Sequence, residues 1–143
     1  MANNYSESSF TVPFIEANKA VVHEWLGRYV AECNRLFDSE GTSDEYYDKV
    51  AGLQINVQHD HVWFSGDGEY FNVTAAIFWV QDLLEALDCD AGIFFSWAEW
   101  CSKARVGEFS GGACVVTRKD HMVQLSTNLL RAAAEAGIEV GNA

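Results

Sequence analysis

The sequence predicts an α+β domain built on a mainly antiparallel sheet of about five or six strands with three helices. Short segments that alternate apolar and polar residues follow one another in hairpins, which favours antiparallel pairing. Longer segments with apolar residues every three or four positions indicate amphipathic helices between them. The length of 143 residues and the hydrophobic content of 49% are typical of one globular domain. The predicted order is β-α-β-β-α-β-β-β-α over residues 1–143, with frayed ends at 1–8 and 139–143.

The first third of the chain predicts an edge strand followed by a long helix. A strand over residues 9–15 has Pro13 near its end, which suits a strand that is paired on one side only. A helix over residues 17–37 follows from apolar residues at helical spacing. These residues are Val22, Trp25 or Leu26, Tyr29, Cys33 and Leu36.

The middle third predicts a hairpin and a central helix. After a polar loop with one helical turn at 44–48, strands are expected at 53–57 and at about 61–65. The alternation of apolar residues changes phase between them, so residues 58–61 must hold a bulge or a tight turn. Asn72 is placed to cap a helix that extends to Leu87.

The last third predicts a central strand, a hairpin and a final helix. Residues 93–101 are apolar on both faces, which is typical of a strand that is covered on both sides. A basic, glycine-rich loop is expected at 102–112, and strands at 113–117 and 121–125. Ser126 or Thr127 would cap a helix that runs through Ala136 and stops at Gly137.

The charge of the protein is concentrated in one stretch. The segment Asp38–Trp100 contains thirteen acidic residues and one basic residue, Lys49, so its net charge of −12 equals that of the whole chain. This composition argues against direct binding to nucleic acid or to an anionic membrane, because both need clustered lysine and arginine. An acidic surface attracts a basic protein surface instead and accelerates encounter with it.

The acidic stretch predicts a partner-binding face. Its carboxylates alternate with large apolar residues, so they cover a folded core. The predicted contact residues are Asp38, Glu40, Asp44, Glu45, Asp48, Asp67, Glu69, Asp82, Glu85 and Asp88. Aromatic residues that anchor protein interfaces are expected at Tyr46, Tyr47 and Trp100. A homo-oligomer, in which the basic segment 103–119 meets this face, is a further possibility.

The cysteines indicate a cytoplasmic protein without disulfides. Cys33, Cys89, Cys101 and Cys114 are widely spaced and form no C-x-x-C pair. The polar N-terminus lacks the apolar core of a secretory signal, and no run of about 18 apolar residues would span a bilayer. We therefore expect reduced, mostly buried thiols and no membrane association.

Two histidines form half of a candidate metal site. His59 and His61 would project from one strand face, and His121, Cys101 or Asp60 would have to complete the ligand set. The change of phase at this point favours exposed turn histidines instead, so we predict no metal and no cofactor.

A small enzyme is the alternative function. Lys103 and Arg105 follow Cys101 and would lower the pKa of its thiol, with His121 as the general base. The pocket would include the 103–112 loop, whose Glu108–Gly112 segment is also a candidate backbone nest for a phosphate. Solvated loop residues beside a buried cysteine are the simpler interpretation, so the sequence favours a protein that is not an enzyme.

The residues Ser96–Lys103 and Glu108–Ala113 resemble segments of uncharacterised small proteins of phages and mobile elements. Many small acidic proteins of phages and mobile elements inhibit host defence, either by imitating nucleic acid or by binding a nucleic-acid-binding protein. The anti-CRISPR proteins are the best-known group. The resemblance implies an inhibitor in the host cell cytoplasm whose partner is a basic, nucleic-acid-binding host protein or complex. It assigns no site residue.

Overall fold

The computed structural model describes residues 4–38, 44–101, 110–125 and 134–137. Its helices are α1 (Lys19–Asp38), α2 (Asp44–Lys49) and α3 (Val73–Ala86), and a 3-10 turn at Glu16–Asn18 precedes α1. Its strands are β1 (Asn4–Glu7), β2 (Ser9–Pro13), β3 (Gln54–Val57), β4 (His61–Ser65), β5 (Ile93–Cys101), β6 (Ser110–Val116) and β7 (His121–Leu125). Within the described ranges, no helix is both long and apolar enough to cross a membrane.

The predicted α+β class with antiparallel strands is confirmed, but the strands form two sheets rather than one. The four-stranded sheet has the order β1-β5-β6-β7, and the three-stranded sheet has the order β2-β4-β3. Every pair in both sheets is antiparallel. The hairpins were predictable from local alternation, whereas the division into two sheets depends on how distant strands meet.

The N-terminal residues are a strand and not a frayed end. Asn4 pairs with Cys101 and Glu7 pairs with Ala98, so β1 forms the edge of the four-stranded sheet beside β5. Its sequence is polar throughout, which is why no hydrophobic pattern revealed it. Strand β2 then pairs with β4 in the other sheet. The chain therefore crosses from one sheet to the other at Ser8.

Hydrogen bonds at the crossing join the two sheets. The buried Ser8 hydroxyl donates to the Ser96 carbonyl oxygen of β5 at 2.5 Å. The Glu7 carboxylate oxygen Oε1 accepts from the backbone N–H of Ser8 at 3.0 Å and of Gly66 at 2.8 Å. Gly66 directly follows β4, so one carboxylate satisfies donors on both sides of the junction.

Stacked aromatic rings fill the space between the sheets. Phe10 of β2 stacks on Phe64 of β4 with ring centroids 5.0 Å apart, and on Phe95 of β5 at 4.3 Å. Phe71 meets Phe10 and Phe95 edge-on, at 6.4 and 5.9 Å. Because Phe64 and Phe95 belong to different sheets, the Phe10 ring joins them into one apolar core.

The long helix predicted over 17–37 is confirmed as α1, and it packs on α3. Trp25 and Tyr29 each meet the Trp79 ring of α3 edge-on, at 6.4 and 5.0 Å. The Tyr29 hydroxyl donates to the Leu53 carbonyl oxygen at 3.0 Å. Burial raises the pKa of this phenol well above its usual range, so it stays a neutral donor.

A tight turn explains the change of phase between β3 and β4. The backbone N–H of Gln58 donates to the His61 carbonyl oxygen at 2.8 Å, which closes the turn without a bulge. Cross-strand partners are Ile55 with Phe64 and Val57 with Val62. Across this turn, each odd-numbered residue of β3 lies opposite an even-numbered residue of β4. Because directly opposite side chains share a face of the sheet, the apolar positions are odd in β3 and even in β4.

Strand β6 begins at Ser110, three residues earlier than predicted. Gly111 and Gly112, predicted in a loop, pair with Ala98 and Trp97 of β5. A Cβ atom at Gly112 would lie 2.5 Å from the Trp97 indole, so the absence of a side chain allows close approach of the strand. The turn at 118–120 and strand β7 agree with the prediction. Most of the predicted last helix, and residues 139–143, lie outside the described residues.

The predicted cap of α3 is confirmed at Asn72. Its side-chain oxygen accepts from the backbone N–H of Ala75 at 3.0 Å, and its amide donates to the Tyr47 carbonyl oxygen of α2. The side chain is buried, so both bonds are made away from water. Asn72 thereby connects the start of α3 to α2.

We expect Asn72→Ala to lower the free energy of unfolding by about 2 kcal/mol or more, because it removes a helix cap and leaves the Tyr47 carbonyl without its donor. Urea denaturation followed by circular dichroism measures the change. Thr74→Ala, an exposed change in the first turn of the same helix, is the matched control and should shift stability by less than about 0.5 kcal/mol. Equal stability of the two variants would contradict the capping role.

Candidate partner-binding surface

Basic residues neutralise part of the predicted acidic face. Glu45 of α2 lies 2.9 Å from the Arg35 guanidinium of α1 and 3.2 Å from the Lys49 ammonium. Glu32 of α1 completes this group, since it lies 2.5 Å from Arg35 and 3.8 Å from Lys49. Hydrogen bonds from Arg35 and Lys49 hold the pKa of the Glu45 carboxyl below its usual range. The charges of two cations and two carboxylates therefore cancel within this group of four side chains.

The acidic residues of α3 are also paired. Asp82 lies 2.9 Å from the Arg28 guanidinium of α1. At the other end of the helix, the half-buried Arg118 guanidinium contacts Asp88 and lies 3.9 Å from Glu85 and 2.9 Å from Asp90. Hydrogen bonding to Asp88 raises the pKa of Arg118, which remains charged.

The carboxylates of Glu45, Asp82, Glu85 and Asp88 are therefore partly neutralised and do not form one continuous negative face, whereas their role as partner contacts stays a prediction. Their partners Arg28, Arg35 and Arg118 come from outside the acidic stretch, and only the tertiary fold brings them together. Exposed ion pairs of this kind stabilise a protein by about 0–1 kcal/mol, yet they weaken the field that a partner would meet. Glu40 and the side chains of Asp38 and Asp44 lie outside the described residues.

Within the acidic stretch 38–100, four of the described carboxylates form no ion pair with another described residue: Asp48, Asp67, Glu69 and Glu99. Asp67 shapes the turn after β4, because its Oδ1 accepts from the backbone N–H groups of Glu69 at 3.0 Å and Tyr70 at 2.8 Å. Glu99 accepts from the Ser110 hydroxyl at 2.8 Å. The first three were predicted as contact residues, and Glu99 was not.

Tyr70 lies among these carboxylates. Its side chain is 47% exposed, and its ring packs against Gly52, where a Cβ atom would approach Cδ1 to 2.2 Å. Gly52 also has φ of +69°, a conformation that favours glycine. Partial burial, and then the charges of Asp48 and Asp67, raise the pKa of the Tyr70 phenol.

An open cleft adjoins Tyr70 on the side of the four-stranded sheet. It has a volume of about 360 Å³ and is lined by Tyr5, Tyr70, Glu99, Trp100 and neighbouring polar residues. The Tyr5 and Trp100 rings stack across β1 and β5, with centroids 5.6 Å apart and planes inclined by 19°. We call this region the Tyr70 surface and define it by Tyr5, Asp48, Asp67, Glu69, Tyr70, Glu99 and Trp100.

Two of the three predicted aromatic anchors remain accessible. Trp100 is half-buried and lines the cleft, and Tyr47 is exposed on α2. Tyr46 packs against the core instead, 6.5 Å from the Phe37 ring. Sequence reasoning missed Tyr5 and Tyr70. Tyr70 had a signal, since it directly follows the acidic turn at 65–69, whereas Tyr5 lay in a segment expected to be frayed.

The predicted turn histidines bracket one carboxylate. His61 Nδ1 lies 2.6 Å from Asp60 Oδ1, and His59 Nε2 lies 3.5 Å from Asp60 Oδ2. The hydrogen bond with His61 lowers the pKa of the Asp60 carboxyl. Among the residues that the structure describes, no group of three or more His, Cys, Asp or Glu side chains is arranged to hold a metal ion.

The alternative site built on Cys101 and His121 is not formed. Cys101 pairs with Asn4 at one end of the four-stranded sheet, whereas His121 pairs with Val116, which pairs with Ile93 at the opposite end. Ile93 and Cys101 are the first and last of nine strand residues, and the eight steps between them span about 26 Å. The predicted base is therefore far from the predicted nucleophile. The Cys101 side chain and the loop residues 102–109, which include Lys103 and Arg105, lie outside the described residues.

The other cysteines have the predicted structural character. Cys33, Cys89 and Cys114 are free thiols, and Cys114 is buried in β6. Burial raises the pKa of the Cys114 thiol to about 11, and desolvation also raises that of Cys33. Both therefore stay protonated near neutral pH and are weak nucleophiles.

Comparison of the chain with protein-family models, with curated proteins and with solved structures finds no match.

We expect the Tyr70 phenol to titrate above the ordinary tyrosine range, because partial burial and, after it, nearby negative charges disfavour the phenolate. Asp48→Asn and Asp67→Asn, which preserve side-chain shape, should each lower the pKa of Tyr70. NMR of tyrosine ring carbons as a function of pH measures the shift. Glu16→Gln, a distant change of equal charge, is the control. An unchanged Tyr70 pKa in both variants would contradict the arrangement of the Tyr70 surface.

Proposed function

We propose that this protein is a non-enzymatic acidic interaction protein that binds a basic protein surface through the Tyr70 surface. One observation carries the proposal: Glu99 lines an open cleft with aromatic walls, Tyr70 of that cleft directly follows the acidic turn of Asp67 and Glu69, and none of these three carboxylates has an ion pair within the described part of the chain. The other described acidic clusters already contain arginine or lysine and offer less to a basic partner.

The chemistry of the cleft suits an arginine or lysine side chain. A guanidinium group stacks on aromatic faces and donates two parallel hydrogen bonds to a carboxylate in a planar, bidentate geometry. Tyr5, Tyr70 and Trp100 supply the faces, and Glu99 supplies a carboxylate at the wall of the cleft. A basic side chain bound in this cleft would stack on an aromatic ring and pair with the Glu99 carboxylate at the same position.

The field of the whole protein favours the same partner class. The formal charge is −12, so cationic surfaces are attracted from a distance and anionic polymers are repelled. Attraction of this kind raises association rates and weakens as salt screens it. The carboxylates at the Tyr70 surface would then determine where the encounter becomes a specific complex.

We further propose that the partner is the basic, nucleic-acid-binding surface of a host defence complex, and that the protein acts as an anti-CRISPR-like inhibitor from a phage or mobile element. The support is the resemblance of residues 96–113 to proteins of that setting. Glu99, Trp100 and Ser110 of that segment line the cleft. Binding would block nucleic acid by occupying its positively charged site.

Neutralising the Tyr70 surface should abolish most of the binding. The variant that combines Asp48→Asn, Asp67→Asn, Glu69→Gln and Glu99→Gln should bind an arginine-rich peptide at least roughly tenfold more weakly and with a shallower salt dependence. Fluorescence anisotropy over a series of salt concentrations measures both. The same titrations with purified nucleic-acid-binding defence complexes, with and without their nucleic acid, test the partner class.

A second variant separates a specific surface from net charge. Asp82→Asn, Glu85→Gln, Asp88→Asn and Asp90→Asn together remove the same formal charge from the clusters around Arg28 and Arg118. We expect this variant to retain most of the affinity. Equal loss in both variants would mean that only overall charge matters and would overturn the proposed site.

The aromatic wall should contribute independently of charge. We expect Trp100→Ala and Tyr70→Ala each to weaken peptide binding roughly tenfold, as is typical of aromatic interface anchors, with little change in the salt dependence. Phe78→Ala, which removes an exposed aromatic ring from α3, is the control for general loss of aromatic area. Wild-type affinity in both cleft variants would exclude the cleft as the contact point.

A further inference from the structure

Strand β7 is an unprotected sheet edge. All five residues, His121–Leu125, are exposed, and within the described part of the chain no strand pairs with the side of β7 that faces away from β6. Natural edge strands usually carry a charge, a proline or a bulge that discourages pairing with another chain. β7 contains no proline and no acidic residue, lysine or arginine.

The open side of β7 presents backbone groups at defined positions. The hydrogen bond from the Thr117 N–H to the Asp120 carbonyl oxygen, 2.8 Å long, closes the β6–β7 turn. Because hydrogen-bonded and non-hydrogen-bonded pairs alternate in an antiparallel ladder, Met122 and Gln124 direct their backbone groups to β6. His121, Val123 and Leu125 then direct theirs outward, where a further strand would lie.

A row of exposed apolar side chains leads to this edge. Phe94, Val115 and Met122 are cross-strand partners on β5, β6 and β7, and they are 65%, 43% and 74% exposed. They lie on one face of the sheet, one from each strand. The row ends at Met122, so its continuation requires a strand beside β7.

We propose that β7 pairs with β7 of a second copy of this chain, which joins the two four-stranded sheets into one of eight strands. Antiparallel pairing about Val123 places His121 opposite Leu125 of the other copy and Met122 opposite Gln124. The outward backbone groups of one strand then meet their counterparts in about six hydrogen bonds. The apolar rows of the two copies become neighbours on the same face.

Charge favours a second copy over a basic partner at this edge. The chain carries a net charge of −12, so two copies can approach only where their acidic groups are absent. Strands β6 and β7 contain no Asp, Glu, Lys or Arg among their described positions. A cationic protein therefore finds no carboxylate within these two strands. The Tyr70 surface lies towards β1, at the other edge of the same sheet, and stays accessible in the dimer.

Salt distinguishes this dimer from an electrostatic one. Screening reduces the repulsion between two anionic copies, so dimerisation through β7 should persist or strengthen at high salt. A complex between the basic segment 103–119 and acidic residues of another copy would dissociate instead. Sedimentation velocity of the full chain at low and high salt, from low micromolar to several hundred micromolar protein, measures the dimer fraction directly.

Two variants test the geometry. Val123→Pro removes an outward N–H while leaving the backbone bonds to β6 in place, and Met122→Lys puts a charge at the end of the apolar row. Each should raise the dimer dissociation constant at least tenfold. Gln54→Lys, the same type of change on the exposed edge strand β3, should leave it unchanged.

Two results would overturn the proposal. One is a monomer at every concentration in high salt. In that case a lower melting temperature of Val123→Pro would indicate that the edge is occupied within the same chain. The other is a dimer whose dissociation constant is the same in Val123→Pro, Met122→Lys and the wild type, with circular dichroism showing that all three are folded.

Discussion

The stacking of Phe10 between Phe64 and Phe95 is the contact on which the rest of the structure depends. It joins two small sheets that would each have too little apolar surface to form a core alone. The chain reaches this arrangement because the N-terminal segment contributes β1 to one sheet and β2 to the other. The bonds of Glu7 and Ser8 at the crossing satisfy polar groups that the junction buries.

The same junction positions the Tyr70 surface. Strand β1 brings Tyr5 beside Trp100, and the backbone N–H of Ser6 donates to the Glu69 carbonyl oxygen at 3.0 Å. The Ser6 hydroxyl also accepts from the Phe71 N–H at 2.9 Å, which holds the turn before α3 against the sheet. The acidic turn, the aromatic wall and Glu99 therefore meet where the two sheets meet.

The electrostatic organisation of the protein differs from the distribution of charge along the chain. Acidic residues that are grouped in sequence separate in space into clusters around arginines and a smaller group without ion pairs. Arg28 and Arg35 on α1 and Arg118 beyond β6 reach the acidic residues of α2 and α3. Net charge thus describes the long-range field of the protein, but the pairing of individual carboxylates determines where negative charge without an ion pair remains on the surface. The edge strand β7 differs from these acidic clusters, because it contains no Asp, Glu, Lys or Arg whose charge would repel a second copy.

Local pattern was sufficient to predict most elements of this protein. The spacing of Trp25 and Tyr29 predicts α1, the side chain of Asn72 predicts the start of α3, and the alternation of apolar and polar residues predicts the hairpins. These predictions succeed because helices, caps and turns depend on residues that are close in sequence. Only the tertiary structure decided the rest. The polar strand β1, the glycines of β6 beneath Trp97 and the ion pairs of Arg118 depend on residues more than a dozen positions away. The Tyr70 surface combines β1, α2, the turn before α3 and β5, and no local pattern records which of these segments become neighbours.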